Sequence, residues 1–127
     1  MAGTKFESYR DLRVWQEAMD LAEACYRLTR EFPKDEMYGM TAQIRRAASS
    51  IAANIAEGHG RQQTGAFVQF LRIAQGSLKE LETHLILAVR VGLATNMDVL
   101  LGQCDELGRM LRALIRSLQN RTEAKPA

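Results

Sequence analysis

The stretch FVQFLRIAQGSLKELETHLILA, Phe67 to Ala88, places apolar residues at Phe67, Leu71, Ala74, Leu78, Leu81, Leu85 and Ala88. Alternating steps of four and three keep such residues on one stripe of an α-helix, whereas a strand, with its period of two, would scatter them over both faces. The same spacing returns at Met97, Leu100, Cys104, Leu107, Leu111, Leu114 and Leu118. Two long apolar seams of similar length must each face something apolar, and the most economical partner is the other seam. The fold is therefore expected to be a helical bundle.

Two further helices complete it. Ser8 and Asp11 have the spacing of a capping box ahead of Leu12, Trp15, Met19, Ala22 and Tyr26, and a second apolar row, Val14, Ala18, Leu21, Cys25 and Leu28, widens that face until Phe32-Pro33 stops the helix. The second helix is expected to begin between Asp35 and Thr41, to bury Ile44, Ala48, Ile51 and Ile55, and to end at Glu57, with Gly58 supplying the residue that takes a positive φ. Thr64 is the expected N-cap of the third helix, which Gly92 ends after about 28 residues, or about 42 Å. Thr95 and Asp98 form a second candidate capping box for the fourth helix. Connections this short force consecutive helices to run antiparallel, giving an all-α, up-down-up-down four-helix bundle over residues 9–119. Residues 1–8 are expected to form an N-terminal arm and residues 120–127 a disordered tail.

Composition bounds the class. With 127 residues, 46% hydrophobic and 25% charged, the chain has the balance of one globular domain and the means to build a core. The N-terminal residues lack an apolar signal region and no run approaches the roughly 20 apolar residues of a membrane span, so the expected location is the cytoplasm, without a membrane partner. Cys25 and Cys104 fall in apolar stripes and lack a C-x-x-C spacing, which predicts buried thiols and no metal. Glu80 and His84 are the nearest approach to a di-iron motif, but the second histidine of such a set is missing from the helices. The loop Gly58-His59-Gly60-Arg61-Gln62-Gln63-Thr64-Gly65 precedes a helix, yet it lacks G-x-G-x-x-G spacing and a preceding strand, so it reads as a turn. Trp15 is explained by packing. No enzymatic activity and no cofactor are expected.

What the chain is built to touch is more informative. The second helix carries only Arg45 and Arg46 as charges between Met37 and Ala56, and alanines surround its circumference. Gln43, Arg46, Ser50, Asn54 and Glu57 form a narrow polar row about a quarter turn from the isoleucines. That row is either a hydrogen-bonding seam between helices or the lining of a subunit interface or channel. On the third helix, Phe70, Ile73, Leu87 and Val91 lie to one side of the seam, an apolar surplus that points to self-association. Basic residues also cluster: Arg72, Lys79 and Arg90 on one outer sector of the third helix, and Arg109, Arg112 and Arg116 on one of the fourth. A net charge of +2 does not by itself demand a polyanionic partner, and Asp105 stands four residues before Arg109. The two readings of these sectors are solvated faces with intrahelical pairs, or a nucleic-acid surface.

Four segments carry a family resemblance. They are Tyr9-Arg10-Asp11-Leu12-Arg13-Val14-Trp15-Gln16, Phe32-Pro33 with Glu36-Met37-Tyr38-Gly39, the run from Gln43 through Ser50-Ile51 to Asn54-Ile55-Ala56-Glu57-Gly58, and Ala74-Gln75-Gly76-Ser77 before Glu80-Leu81-Glu82. Together they resemble the four-helix bundle family first noted as proteins encoded in intervening sequences of bacterial large-subunit ribosomal RNA genes. The Q-x-x-R-A-x-x-S-I-x-x-N-I-A-E-G run is the specific part, because a generic amphipathic helix does not require those polar residues in that order. The resemblance implies a homo-oligomer, a pentameric ring, and a nucleic-acid role similar to that of accessory proteins of diversity-generating retroelements. It marks Gln43, Arg46, Ser50, Asn54, Glu57 and Gly58 as motif residues and assigns no catalysis. Two functions follow as expectations: an RNA- or DNA-binding accessory protein, or a ring-forming module that recruits a protein partner.

Overall fold

The computed structural model of the chain describes residues 8–124. It contains four helices, α1 (Arg13–Thr29), α2 (Met40–Gly60), α3 (Thr64–Arg90) and α4 (Asp98–Ala124), with short 3-10 turns at Tyr9–Asp11 and Lys34–Glu36. Residues 1–7 of the expected arm and 125–127 of the expected tail lie outside the described residues; the helix itself continues past Asn120 to Ala124.

The helices form an all-α bundle in which each packs on its neighbours in sequence, α1 on α2, α2 on α3, α3 on α4 and α4 back on α1. Paired contacts give the directions. Ser50 meets Ser77 near the middle of α2 and α3, and Gly58 meets Phe67 and Phe70 at their shared end, so these two helices are antiparallel. Arg45 reaches Thr29 from the start of α2 to the end of α1. Leu78 sits beside Gly108, and Arg90 shares a cleft with Asp98, so α3 and α4 also run oppositely. The core follows the two expected seams and the isoleucine row: Ile44, Ala48, Ile51, Ile55, Leu71, Ala74, Leu78, Leu81, Leu85, Ala88, Cys104, Leu107 and Leu111 are all buried. Near the end of α4 it is Ile115 that is buried, while Leu114 is half-buried.

On α1 the second of the two apolar rows supplies most of the core, with Ala22 of the first row buried beside it. Val14, Ala18, Leu21 and Cys25 are buried, whereas Met19 and Tyr26 are 44% and 40% exposed. Thr29, which belongs to neither row, is buried because its hydroxyl donates to the Cys25 carbonyl at 2.9 Å and accepts from Arg45 Nε at 2.8 Å. The Arg45 guanidinium lies 4.5 Å from the centre of the Tyr26 ring, so this polar tie between α1 and α2 is also a cation–π contact.

Helix ends depart from the sequence reading in four places. Ser8 accepts from the Arg10 N–H at 3.1 Å, but it caps the 3-10 turn and not α1, which starts from an extended Leu12 without a side-chain cap. Asp11 makes no reciprocal cap there; its own N–H donates to the Ser8 carbonyl at 3.0 Å. Gln63, not Thr64, occupies the N-cap of α3. At α4 the Asp98 N–H is accepted by Asn96 Oδ1 at 2.8 Å, so Asn96 replaces the expected Thr95 box. The fourth departure is Gly58. It is helical and buried, α2 continues to Gly60, and the positive φ after α2 belongs to Gln62 at 58°. A Cβ on Gly58 would lie 2.6 Å from Phe70 Cβ and 3.1 Å from Phe67 Cδ1, so glycine is required there by the close approach of α3. Gly92 does what was expected of Gly58. With φ at 85° it ends α3 in a Schellman motif, Leu93 N–H donating to Ala88 O at 2.9 Å and Gly92 N–H to Val89 O at 3.1 Å.

Candidate nucleic-acid interface

The antiparallel packing of α3 and α4 brings the two basic sectors onto one face. With Leu78 beside Gly108, each step forward on α3 is a step back on α4, which sets Arg72 level with the Arg116 region, Lys79 with Gly108 to Arg112, and Arg90 with Asp98. Lys79 and Arg112 line the same cleft, of about 350 Å³, together with Gln75, Gly76, Leu78 and Gly108. Arg90 borders a second one, of about 510 Å³, with Ile86, Val89, Thr95, Asn96, Met97, Asp98 and Leu101. All six cations are exposed.

Their partners differ. Lys79 Nζ stands 3.3 Å from Glu82 Oε1, and Arg109 Nη2 stands 2.7 Å from Glu106 Oε1, a hydrogen bond that raises the Arg109 pKa still further. The i,i+4 pairing of Asp105 with Arg109 gives way to this i,i+3 pair with Glu106. Arg72, Arg90, Arg112 and Arg116 have no carboxylate within ion-pair distance among the described residues. Both pairs are solvent-exposed, so they hold their cations only weakly. The face is mixed: Glu82 and Glu106 pair two of its cations, Asp105 lies near Arg109 and Asp98 shares the cleft of Arg90, while Arg72, Arg112 and Arg116 add positive charge without an ion-pair partner among the described residues.

The motif row of α2 divides between two roles. Ser50 Oγ and Ser77 Oγ are 2.9 Å apart across the α2–α3 contact, and Asn54 Nδ2 donates to the Ser50 carbonyl at 2.8 Å and to Ser50 Oγ at 3.0 Å. These half-buried groups are a hydrogen-bonding seam between helices. Gln43, Arg46 and Glu57 are exposed: Arg46 Nη2 donates to Gln43 Oε1 at 2.9 Å, and Glu57 Oε2 accepts from Arg61 Nη2 at 2.9 Å. Below them, Gly58 permits the α2–α3 approach already described, and Arg61 lies over the Phe70 ring at 5.1 Å.

Residues 10–113, which contain this motif row and the packed end beneath it, match the family model described as 23S rRNA-intervening sequence protein. The chain belongs to that family. It is also similar to the crystal structure of a protein with unknown function from the S23 ribosomal protein family of Bacteroides thetaiotaomicron, at 25% sequence identity over 80% of this chain and 97% of that one, with a TM-score of 0.71. No curated protein matches the chain.

In this member of the 23S rRNA-intervening sequence protein family, the other candidate groups lie in packing contacts or are shielded from solvent. The His59 ring meets Phe67 edge-on at 5.8 Å, and Trp15 meets Tyr9 edge-on at 5.2 Å. Cys25 and Cys104 are free buried thiols, each pushed up to about 12 by burial, so neither is a nucleophile at neutral pH. His84 is half-buried with Nε2 shielded from solvent and 4.0 Å from Glu80 Oε2. Among the described residues, His, Cys, Asp and Glu nowhere gather in threes as a metal site would need, and no helix is long and apolar enough to cross a membrane. Sequence reasoning did not single out Ser77 as the partner of Ser50 or Gly58 as a packing glycine. A glycine in the middle of an otherwise helical apolar pattern is the available signal for the second.

Proposed function

We propose that this protein is a nucleic-acid-binding accessory protein that acts as a homo-oligomer, with RNA or DNA phosphates meeting the α3–α4 face. The observation that carries this reading is the convergence of Arg72, Lys79, Arg90, Arg109, Arg112 and Arg116 on one face, four of them without a carboxylate partner among the described residues. A net charge of only +2 becomes a useful field when it is gathered in this way and repeated around an assembly. The nucleic-acid role that the family resemblance implies supports this reading. Exposed Ile73, Leu87 and Val91, at 47%, 42% and 58%, support self-association. By the 100° step of a helix Ile73 and Val91 lie about a quarter turn or more from the basic row and Leu87 about 60° from Arg72 and Arg90, so an interface centred on Ile73 and Val91 leaves the cations free. The family resemblance favours five copies in a ring.

Fluorescence anisotropy with structured RNA, single-stranded RNA and duplex DNA, at low and moderate salt, tests the reading. Affinity is expected to fall steeply with salt. Arg112→Ala with Arg116→Ala should flatten the log-log slope by at least about one unit without changing the assembly. The same apolar surface of α3 supports a second reading, a ring that recruits a protein. Absence of binding to all three probes at low salt, or binding untouched by the loss of both arginines, favours that one.

A further inference from the structure

The basic face has charge but nothing to stack a base on. From Leu71 to the C-terminus the sequence holds no Phe, Tyr or Trp, and the two aromatics earlier on α3, Phe67 and Phe70, are packed toward α2 at Gly58. Single strands are held by stacking their bases on aromatic rings beside a basic groove, whereas a double helix hides its base faces and offers phosphates outward. The scaffold suits the second. Cations borne on two packed helices, with axes about 8–10 Å apart, form two fixed antiparallel rows. Arg72 and Lys79 are separated by about 10 Å along α3, as are Arg109 and Arg116 along α4, and Lys79 and Arg90 by about 16 Å.

Between the rows lies the Lys79–Arg112 cleft. Gly108 is buried, and the Arg112 Nη1 lies 3.5 Å from where its Cβ would be, so the guanidinium folds back over the glycine toward α3. Gly76 also lacks a side chain at this cleft, and a Cβ there would meet nothing within 4 Å. Lys79 faces the same space with one exposed contact, to Glu82. Two cations thus border an open pocket of about 350 Å³.

We infer that the α3–α4 face docks the phosphate backbone of a double helix, with one phosphate seated between Lys79 and Arg112. This rests on the nucleic-acid reading above and narrows it to duplex over single strand, through backbone and not base edges. The test is competition anisotropy with the full chain, using a blunt RNA duplex, a DNA duplex of the same sequence and the separated strands, at matched length and salt. Both duplexes should bind at least about tenfold more tightly than their strands, and scrambling the sequence should change neither by more than a few fold. Lys79→Ala with Arg112→Ala should lower the salt slope by about one unit, because one phosphate is shared, with the thermal melt unchanged. Lys79→Gln with Arg112→Gln serves the same purpose if the alanine pair fails to fold. Single strands binding as tightly as duplexes, or a slope lowered by two units or not at all, overturns this inference while leaving nucleic-acid binding standing. Absence of binding to every probe overturns both.

Discussion

Gly58→Ala isolates the α2–α3 contact in a single methyl group. In an exposed helix the exchange stabilises by about 1 kcal/mol, because alanine loses less conformational entropy than glycine. Here the new Cβ arrives 2.6 Å from Phe70 Cβ and 3.1 Å from Phe67 Cδ1, with the Phe67 carbonyl oxygen at 3.4 Å. Carbon atoms rest at about 3.5–4.0 Å, so α2 and α3 must separate by about 1 Å at this end or both phenylalanines must shift. Overpacking of that kind costs about 1–3 kcal/mol, which exceeds the propensity gain over most of its range and leaves a net loss of up to about 2 kcal/mol, about 1 kcal/mol at mid-range. For a domain of this size the melting temperature should fall by about 5 °C. Gly102→Ala is the matched control. It changes the same residue type in α4, where a Cβ meets nothing within 4 Å, and it should raise the melting temperature by a few degrees. Differential scanning calorimetry of the two variants beside the wild type reads both signs. A Gly58→Ala protein as stable as the wild type would show that α3 does not approach α2 as closely as described.

Three further outcomes are expected. Leu81→Asp or Leu107→Asp, at positions 0% and 1% exposed, places an unpaired carboxylate in the seam and should cost about 3–5 kcal/mol in chemical denaturation followed by circular dichroism; wild-type stability in either variant would contradict the seam. The thiols of Cys25 and Cys104 should resist a thiol-reactive chromophore at pH 8 until the protein unfolds. Because burial raises both to about 12, they favour the folded state fully below the thiol range of unfolded chains, near pH 9, and that contribution is lost as pH rises from about 9 to about 12; a Cys25→Ala, Cys104→Ala protein should lose stability less steeply across that window. Ile73→Glu with Leu87→Glu should convert the assembly to a helical species of 14.3 kDa in sedimentation, and a wild type that is already monomeric at micromolar concentration would remove the interface.

Periodicity made the architecture readable, because residues such as Leu71, Leu78, Leu85 and Cys104, Leu111 repeat long enough to fix the core faces of α3 and α4. Where two interleaved rows compete, periodicity does not choose: on α1 the row with Met19 and Tyr26 is half outside, and only the positions of α2 and α4 decide that Val14 to Cys25 is the inner one. Caps failed for a related reason. Ser8-Asp11 and Thr95-Asp98 have the right spacing, but a 3-10 turn and the Asn96 side chain use the same backbone groups first. Gly58 and Gly92 look alike in sequence at the ends of apolar rows. Whether a glycine turns the chain or admits a neighbour depends on what packs there, which is a tertiary fact. The basic residues were each visible, yet their union on one face required the α3–α4 register. Likewise the polar row could be listed from its spacing, while Ser50 and Asn54 separate from Gln43, Arg46 and Glu57 only once Ser77 is seen opposite.

The claim that the α3–α4 face binds nucleic acid is tested most directly by the low-salt affinity of a labelled RNA hairpin for the wild type and for Arg72→Gln, Arg112→Gln, Arg116→Gln. These three arginines have no carboxylate partner to release among the described residues, and their loss leaves the core untouched. Affinity should drop on the order of a hundredfold with helicity and assembly unchanged. An unaltered affinity in the triple variant would contradict the assignment of this face.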